Sequence, residues 1–188
     1  MKDNLNNMAG LDIYLSNIAN EKDAQKTSEI QSINYKTMPL MSWDIYMENY
    51  HKMLQGAKKN VELKQVTNLA KKYNWQNDLN LVFSEHDYEA VIITDVNQNI
   101  IWVNEGFSTM TGYSQKFALN KTPNFLQGEQ TSQETKNRIR QKIKQNKPFK
   151  EIIINHKKDK TPYTCEVNII PLYNNETTHF IAFEKQVV

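Results

Sequence analysis

Apolar residues recur at helical spacing between about residues 41 and 86. Ser42 is suited to cap a helix that begins at Trp43, with Asp44 in its first turn, and Gly56 is expected to interrupt that helix. A helix with a single apolar face needs a packing partner. We therefore predict a helical extension over residues 41–86 that packs on a sheet or on a dimer partner. The second helix of this extension carries the stripe Val61, Leu63, Val66, Leu69, Ala70 and Tyr73.

Residues 1–40 have a different composition, rich in Asn, Ser, Lys and Glu. Their one apolar patch lies between Leu11 and Ile18, and the rest offers little to bury. We expect this segment to be partly disordered or to form a short helix.

After residue 87 the pattern changes to runs of β-branched and aromatic residues bounded by turn residues. The sequence Thr131-Ser132-Gln133-Glu134 resembles a capping box and predicts a helix that runs to about Asn146, with Ile139 and Ile143 on its buried side. Turns are expected at Asp159-Lys160 and Asn174-Asn175, so neighbouring strands should be antiparallel. The predicted strands are one near Glu89 to Thr94 and three at Phe149–Lys157, Tyr163–Leu172 and Thr178–Lys185.

Composition narrows the function classes. The chain has 188 residues and a net charge of +2, with 23 basic and 21 acidic residues, so its charge gives no reason to expect nucleic acid as a partner. It contains no apolar run long enough for a membrane span and no secretory signal, so we expect a cytoplasmic location and no membrane partner. Its single cysteine, Cys165, excludes an internal disulfide, and its four scattered histidines do not form a metal motif.

Several motifs occur in a characteristic order from about Tyr88 to the C-terminus. Asn97 to Asn104 follows a short strand, and Gly106-Phe-Ser-Thr-Met-Thr-Gly-Tyr-Ser114 leads into Thr122-Pro-Asn-Phe-Leu-Gln-Gly128. This order resembles the PAS family of sensory modules, and the last motif is similar to the flavin-binding signature of its light-sensing LOV subgroup. In that subgroup a cysteine thiol adds to photoexcited flavin, whereas Pro123 stands at this position here. The resemblance implies an α+β fold over residues 87–188, a PAS fold with a five-stranded antiparallel sheet and helices on one face.

The family register also predicts which side chains face the interior. If Asn155 faces the pocket, as its LOV equivalent does, strand alternation brings Ile153 inward as well. By the same argument the inward set includes Tyr163, Cys165, Val167, Ile169, Phe180, Ala182 and Glu184. The other face then carries Ile93, Ile152, Ile154, His156, Ile170, Ile181 and Phe183. A soluble monomer rarely exposes a face with so many apolar residues. We therefore expect the N-terminal helices or a second copy of the chain to cover it.

The resemblance also gives candidate binding residues. Gln127 and Asn155 match residues that contact the flavin ring, and Arg140 matches a residue that contacts its phosphate. Changed pocket positions include Thr122, Asn124, Cys165 and Glu184, in addition to Pro123. Losing several complementary hydrogen bonds would weaken flavin binding by orders of magnitude, so we expect no cofactor, with FMN as the candidate if one binds.

Glu184 and Cys165 each allow two interpretations. Glu184 would contact a ligand or close a polar network in the core, unless the register is shifted by one residue. Cys165 would be a redox sensor or a small buried hydrophobe.

The leading interpretation is a non-enzymatic PAS sensory module that acts through protein interaction and homodimerisation, using the outer sheet face and the N-terminal helices. Its signalling partner is not named by the sequence. The alternatives are a LOV-type flavin photoreceptor without the cysteine or a redox sensor, a small enzyme using Glu184 with His156 or Cys165, and a structural dimer with a filled core.

Overall fold

A computed structural model describes residues 41–187, and the chain divides into two compact units between Gln55 and Gly56. The described part of the first unit is helical throughout and belongs to helix α1 (Met41–Tyr73). Trp43, Tyr46 and Tyr50 are exposed there, with successive ring centroids 6.0 and 6.5 Å apart. The expectation for residues 1–40 lies outside the described residues.

Two expectations for this helix are wrong. Met41 and Ser42 already lie inside α1, so Ser42 is not its N-cap. Gly56 does not interrupt the helix, and a side chain at that position would meet no atom within 4 Å. An exposed glycine costs a helix only about 1 kcal/mol relative to alanine, which is too little to end a helix that continues well on both sides.

The second unit contains the remainder of α1, four further helices and five strands. A 3₁₀ helix, Pro123–Leu126, lies within the stretch that carries the LOV-like motif. The elements after α1 are, in order, α2 (Leu79–Glu85), β1 (Ala90–Asp95), β2 (Ile100–Val103), α3 (Glu105–Thr111), α4 (Gln115–Ala118), the 3₁₀ helix, α5 (Gln133–Lys144), β3 (Phe149–His156), β4 (Pro162–Asn174) and β5 (Glu176–Gln186).

The five strands form one antiparallel sheet in the order β2-β1-β5-β4-β3, which confirms the predicted fold class. Lys160 and Asn175 have positive φ angles of 70° and 63°, as tight turns between these strands require. The register pairs Ile153 with Cys165 and Val167 with Glu184. Ile153, Cys165, Val167 and Ala182 pack in one hydrophobic cluster with residues of the helices that follow β2, so the predicted inward phase is the one observed.

Helix α5 begins one residue later than the capping box predicts. Ser132 is its N-cap, and the Ser132 side chain accepts a hydrogen bond from the amide of Thr135. The Thr131 hydroxyl instead accepts from the amide of Gly128 at 2.9 Å and donates to the carbonyl of Ile154 at 2.6 Å. Thr131 therefore fastens the loop after the 3₁₀ helix to strand β3.

Both faces of the sheet carry a hydrophobic cluster. On the inner face, residues of α3, α4 and the 3₁₀ helix, such as Phe107, Ala118 and Leu126, pack with the inward side chains of the strands. On the outer face, Val66 of α1 and Leu79 and Phe83 of α2 cover the sheet. Their covered partners are Val91, Ile93, Ile170, Leu172, Ile181 and Phe183. Ile152 and Ile154, near the β3 edge, stay exposed.

A polar contact also joins α1 to the rest of the second unit. The Glu62 carboxylate accepts hydrogen bonds from the Tyr88 hydroxyl at 2.8 Å and from Asn104 Nδ2 at 2.9 Å. Asn104 Oδ1 accepts from the amides of Val91 and Phe107, each at 2.9 Å. Asn104 is thus the N-cap of α3 and a link from β1 to α1.

None of the helices described within residues 41–187 has the length and apolar character needed to cross a membrane.

Replacing Val66 with aspartate tests the cover on the outer face. Val66 is fully buried, whereas Val61 on the same helix is largely exposed. Placing a carboxylate among apolar side chains should lower the free energy of unfolding by about 3 kcal/mol or more in Val66→Asp, because the charge loses water and gains no partner. Val61→Asp makes the same chemical change and should shift it by only about 0.5 kcal/mol. Urea unfolding followed by tryptophan fluorescence measures both, and equal losses would contradict this packing.

Candidate functional site

The inner face of the sheet borders a cavity of about 120 Å³, flanked by helix α5 and the 3₁₀ helix and open to solvent where Asn124 and Arg140 are exposed. Most of its lining is apolar, with Ile, Leu, Val and Ala side chains from the sheet and both helices. The lining residues are Ile92, Thr94, Gln98, Pro123, Asn124, Leu126, Gln127, Lys136, Ile139, Arg140, Ile143, Ile153, Asn155, Val167, Ile169, Ala182 and Glu184.

Five of the seven candidate residues predicted from sequence meet in this cavity: Asn124, Gln127, Arg140, Asn155 and Glu184. Thr122 precedes the 3₁₀ helix and makes no side-chain cap bond with it. Neither Thr122 nor Cys165 is among the lining residues. Cys165 is instead fully buried in the inner cluster, where its thiol points to the carbonyl of Glu166 at 3.7 Å.

Glu184 is the unusual member of the lining. It lies on the central strand β5 between Ala90 and Val167, and only 5% of its surface is exposed. Its Oε2 atom has no hydrogen-bond partner among residues 41–187, so the polar network that would satisfy this oxygen is not formed within the described residues. Removal from water raises the pKa of Glu184 to about 7, and a hydrogen bond with Cys165 opposes this rise. The site therefore holds a carboxyl group that can be neutral or charged near neutral pH.

Two neighbouring groups stay protonated. Burial raises the pKa of the Tyr163 hydroxyl and of the Cys165 thiol, and the negative charge of Glu184 raises both further. The reactive form of a cysteine is its thiolate, so Cys165 lacks the electrostatic setting of a redox-sensing thiol. The Tyr163 hydroxyl is a second buried polar group that has no partner within the described part of the chain.

Two cations of helix α5 line the cavity as well. Lys136 and Arg140 are four residues apart and therefore share one side of the helix. Neither forms an ion pair with another residue between 41 and 187, whereas Lys142 and Arg138 pair with Glu151 at 2.7 and 3.4 Å. The sequence interpretation missed Lys136, although its spacing from Arg140 was the signal that could have identified it.

The outer side of β5 carries Phe183 next to Glu184. The Phe183 ring packs against those of Phe83 and Tyr88, with centroids 5.2 Å apart in each case. Tyr88 in turn donates its hydroxyl hydrogen bond to Glu62 of α1. One strand therefore borders the cavity on one face and the helical cover on the other.

The described residues contain no group of three or more metal-ligating side chains. His179 accepts a hydrogen bond at Nδ1 from the Trp75 indole at 3.1 Å, and burial lowers its pKa. His156 lies against Gly128, where an added Cβ would come within 2.5 Å of its ring. Both histidines are thus engaged in packing.

The buried carboxyl group of Glu184 should make the stability of the folded protein depend on pH. The pKa of Glu184 is about 7 in the folded protein against 4.5 ordinarily, so folding favours its protonated form. The contribution of Glu184 to the free energy of unfolding is therefore most favourable below about pH 4.5. It falls by about 3 kcal/mol as the pH rises to about 7. Glu184→Gln should therefore stabilise the protein by roughly 2 to 3 kcal/mol at about pH 8 and by much less at about pH 5.

Urea unfolding at the two pH values measures this difference. Glu176→Gln is the matched control, because it removes the same charge from an exposed position on the same strand. A gain in Glu184→Gln that is equal at both pH values would contradict the ionisation of Glu184.

Several curated proteins are similar to this chain over about half its length. The blue-light photoreceptor of Listeria monocytogenes is 38% identical over 102 residues, which cover 52% of this chain and 40% of that protein. The nitrogen fixation regulatory protein of Klebsiella oxytoca is 32% identical over 100 residues, covering 52% of this chain and 20% of that protein. The chain thus spans less than half the length of these relatives.

The solved structures give the same fold. The LOV domain of a blue-light activated histidine kinase from Erythrobacter litoralis EL346 matches with a TM-score of 0.51 and 25% identity, covering 54% of this chain and 98% of that domain. The light-state structure of the Aureochrome1 LOV photoreceptor matches with a TM-score of 0.52 and 24% identity, over 54% of this chain and 83% of that one. The PAS domain family itself matches residues 89–185, which include strands β1 to β4, all but the last residue of β5, and the cavity. The chain belongs to the PAS domain family and is LOV-like.

Proposed function

We propose that this chain is a non-enzymatic sensory module in which a small molecule in the cavity controls how the N-terminal helices dock on the sheet. The observation that carries this proposal is the position of Glu184. A buried carboxyl oxygen without a hydrogen-bond partner is costly, and a ligand in the cavity is the simplest way to satisfy it.

The signal would travel through strand β5. Glu184 borders the cavity, and the neighbouring Phe183 packs against α2 and the segment that leads into β1. Any change in hydrogen bonding at Glu184 that moves the backbone of β5 also moves Phe183. A ligand that favours one position of this strand would thereby favour one docked state of the helices.

Helix α1 is the element that would respond. Its Val66 side chain is buried on the outer face, and its Glu62 carboxylate bonds to Tyr88, which touches Phe183. Weakening these contacts would expose the apolar outer face of the sheet. An exposed face of this kind is a binding surface for another protein.

A second copy of the chain is our proposed partner for residues 41–55. Trp43, Tyr46 and Tyr50 recur at helical spacing and are exposed, together with Leu54. This is an apolar stripe that a helix normally buries. A downstream signalling protein would then read the state of the dimer.

Native mass spectrometry of the freshly purified full chain tests the ligand and the dimer together. We expect a dimer mass with an additional small molecule that is released on denaturation. Ala182→Phe should lose the additional mass, because Ala182 lines the cavity and the larger ring would fill it. Circular dichroism checks that this variant is folded. Wild type with no retained molecule, before and after exposure to a cell extract, would contradict ligand sensing.

A LOV-type flavin photoreceptor is the second candidate, because relatives that match about half of this chain are blue-light photoreceptors. The site fits FMN poorly. The cavity of about 120 Å³ is smaller than the roughly 300 Å³ or more that drug-sized and cofactor-sized ligands usually occupy. Pro123 lines it without a thiol, and by the resemblance described above Glu184 stands where the LOV subgroup has a glutamine on the last strand. Flavin binding would therefore require the cavity to widen.

Absorption spectroscopy decides this alternative. A flavin protein would be yellow as purified or after incubation with FMN, and Glu184→Gln should take up more FMN because it restores the amide of the LOV subgroup. A colourless protein that takes up no added FMN, in wild type and in this variant, would exclude the second candidate and leave the first intact.

A further inference from the structure

The cavity places opposite charges at different positions, and their arrangement restricts the ligand. Glu184 offers a carboxyl group on the sheet, and Lys136 and Arg140 offer positive charge from helix α5. Each of the three lacks an ionic partner among residues 41–187, although neighbouring charges on α5 are paired. Apolar side chains such as Ile139, Ile153 and Val167 form most of the surface between them.

The size of the cavity restricts the ligand further. An engineered apolar cavity of about 150 Å³ holds one benzene molecule. The present cavity is about 120 Å³, so its interior accepts a single ring of about that size or smaller. The apolar walls favour a flat, weakly polar ring.

Glu184 decides which atom the ring must present. In its ionised form Glu184 only accepts hydrogen bonds, so the complement of that form is a nitrogen that carries a proton. The Asn155 amide also lines the cavity and can pair with a second polar atom of the ring. Lys136 and Arg140 are both positively charged, so the part of the ligand that faces them should carry an acidic group.

On the basis of the sensory function proposed above, we propose that the cavity binds a compact heteroaromatic acid. A ring N–H donates to Glu184, and the acidic group is held by Lys136 and Arg140. Glu184 is therefore the residue that selects the ligand. Binding favours the ionised form of Glu184, so it releases a proton to solvent when it occurs below the pKa of this group, about 7.

Two isosteric probes test this selection on the full chain. Pyrrole-3-carboxylate has a ring N–H, and furan-3-carboxylate has an oxygen acceptor at the same position. Titrations at about pH 8, where Glu184 is ionised, followed by protein NMR should show pyrrole-3-carboxylate binding about ten-fold more tightly, because the furan oxygen brings no proton to the carboxylate. Pyrrole, which lacks the acid, should bind more weakly than pyrrole-3-carboxylate.

Variants assign each half of the recognition. Glu184→Gln should reduce the pyrrole preference to about two-fold, because an amide both donates and accepts. Glu176→Gln, on the same strand and outside the cavity, should keep the preference. The double variant Lys136→Gln, Arg140→Gln should abolish the advantage of pyrrole-3-carboxylate over pyrrole. Calorimetry at about pH 6 in two buffers that differ in ionisation enthalpy should detect proton release in wild type and none in Glu184→Gln.

Equal affinity for the two carboxylates, tighter binding of the furan, or no binding of either would overturn this inference. The proposed function is tested separately, by the retained mass in native spectrometry. If another class of molecule is retained while neither probe binds, the result supports ligand sensing and contradicts selection of a ring N–H by Glu184.

Discussion

A sheet that is apolar on both faces must be covered on both, and this requirement organises the molecule. The inner face is covered by the helices of the PAS domain itself, and the outer face by α1 and α2. Strand β5 lies in the middle of the sheet and contributes to both clusters, since Ala182 packs with the inner one and Phe183 belongs to the outer one. Because successive residues of a strand point to opposite faces, a displacement of β5 acts on both layers.

Glu184 places a buried polar group that needs a hydrogen-bond partner at this central position. An apolar residue there would complete the inner cluster, whereas a carboxyl group with an unsatisfied oxygen leaves a cost that protonation or a ligand can remove. The group sits one residue from Phe183, and Phe183 is linked through Tyr88 to Glu62 of α1. Chemistry in the cavity and docking on the outer face therefore share a short physical path. The fully buried thiol of Cys165 offers no comparable chemistry, since burial raises its pKa.

The fold was predictable because strand alternation and turn residues are local signals. One residue of known orientation, Asn155, set the phase that places Glu184 inward, and the register confirms it. Helix ends were harder, because Thr131 and Ser132 both suit an N-cap, and only the tertiary bond from Thr131 to Ile154 assigns the cap to Ser132. The cavity was predicted in part. Lys136 lines it because of the way α5 docks on the sheet, which the sequence pattern does not specify. Thr122 and Cys165 are not in its lining, because facing inward does not by itself bring a side chain to the cavity surface.

The central claim is that the ionisation state of Glu184 changes how stably helix α1 docks on the sheet. Hydrogen–deuterium exchange of α1 in wild type and Glu184→Gln, at about pH 6 and about pH 8 with intrinsic exchange rates corrected, tests it most directly. The account predicts that residues 62–73 exchange faster in wild type at the higher pH, when Glu184 is charged, and that Glu184→Gln removes this difference while Glu176→Gln retains it. Identical protection of residues 62–73 in wild type and Glu184→Gln at both pH values would contradict it.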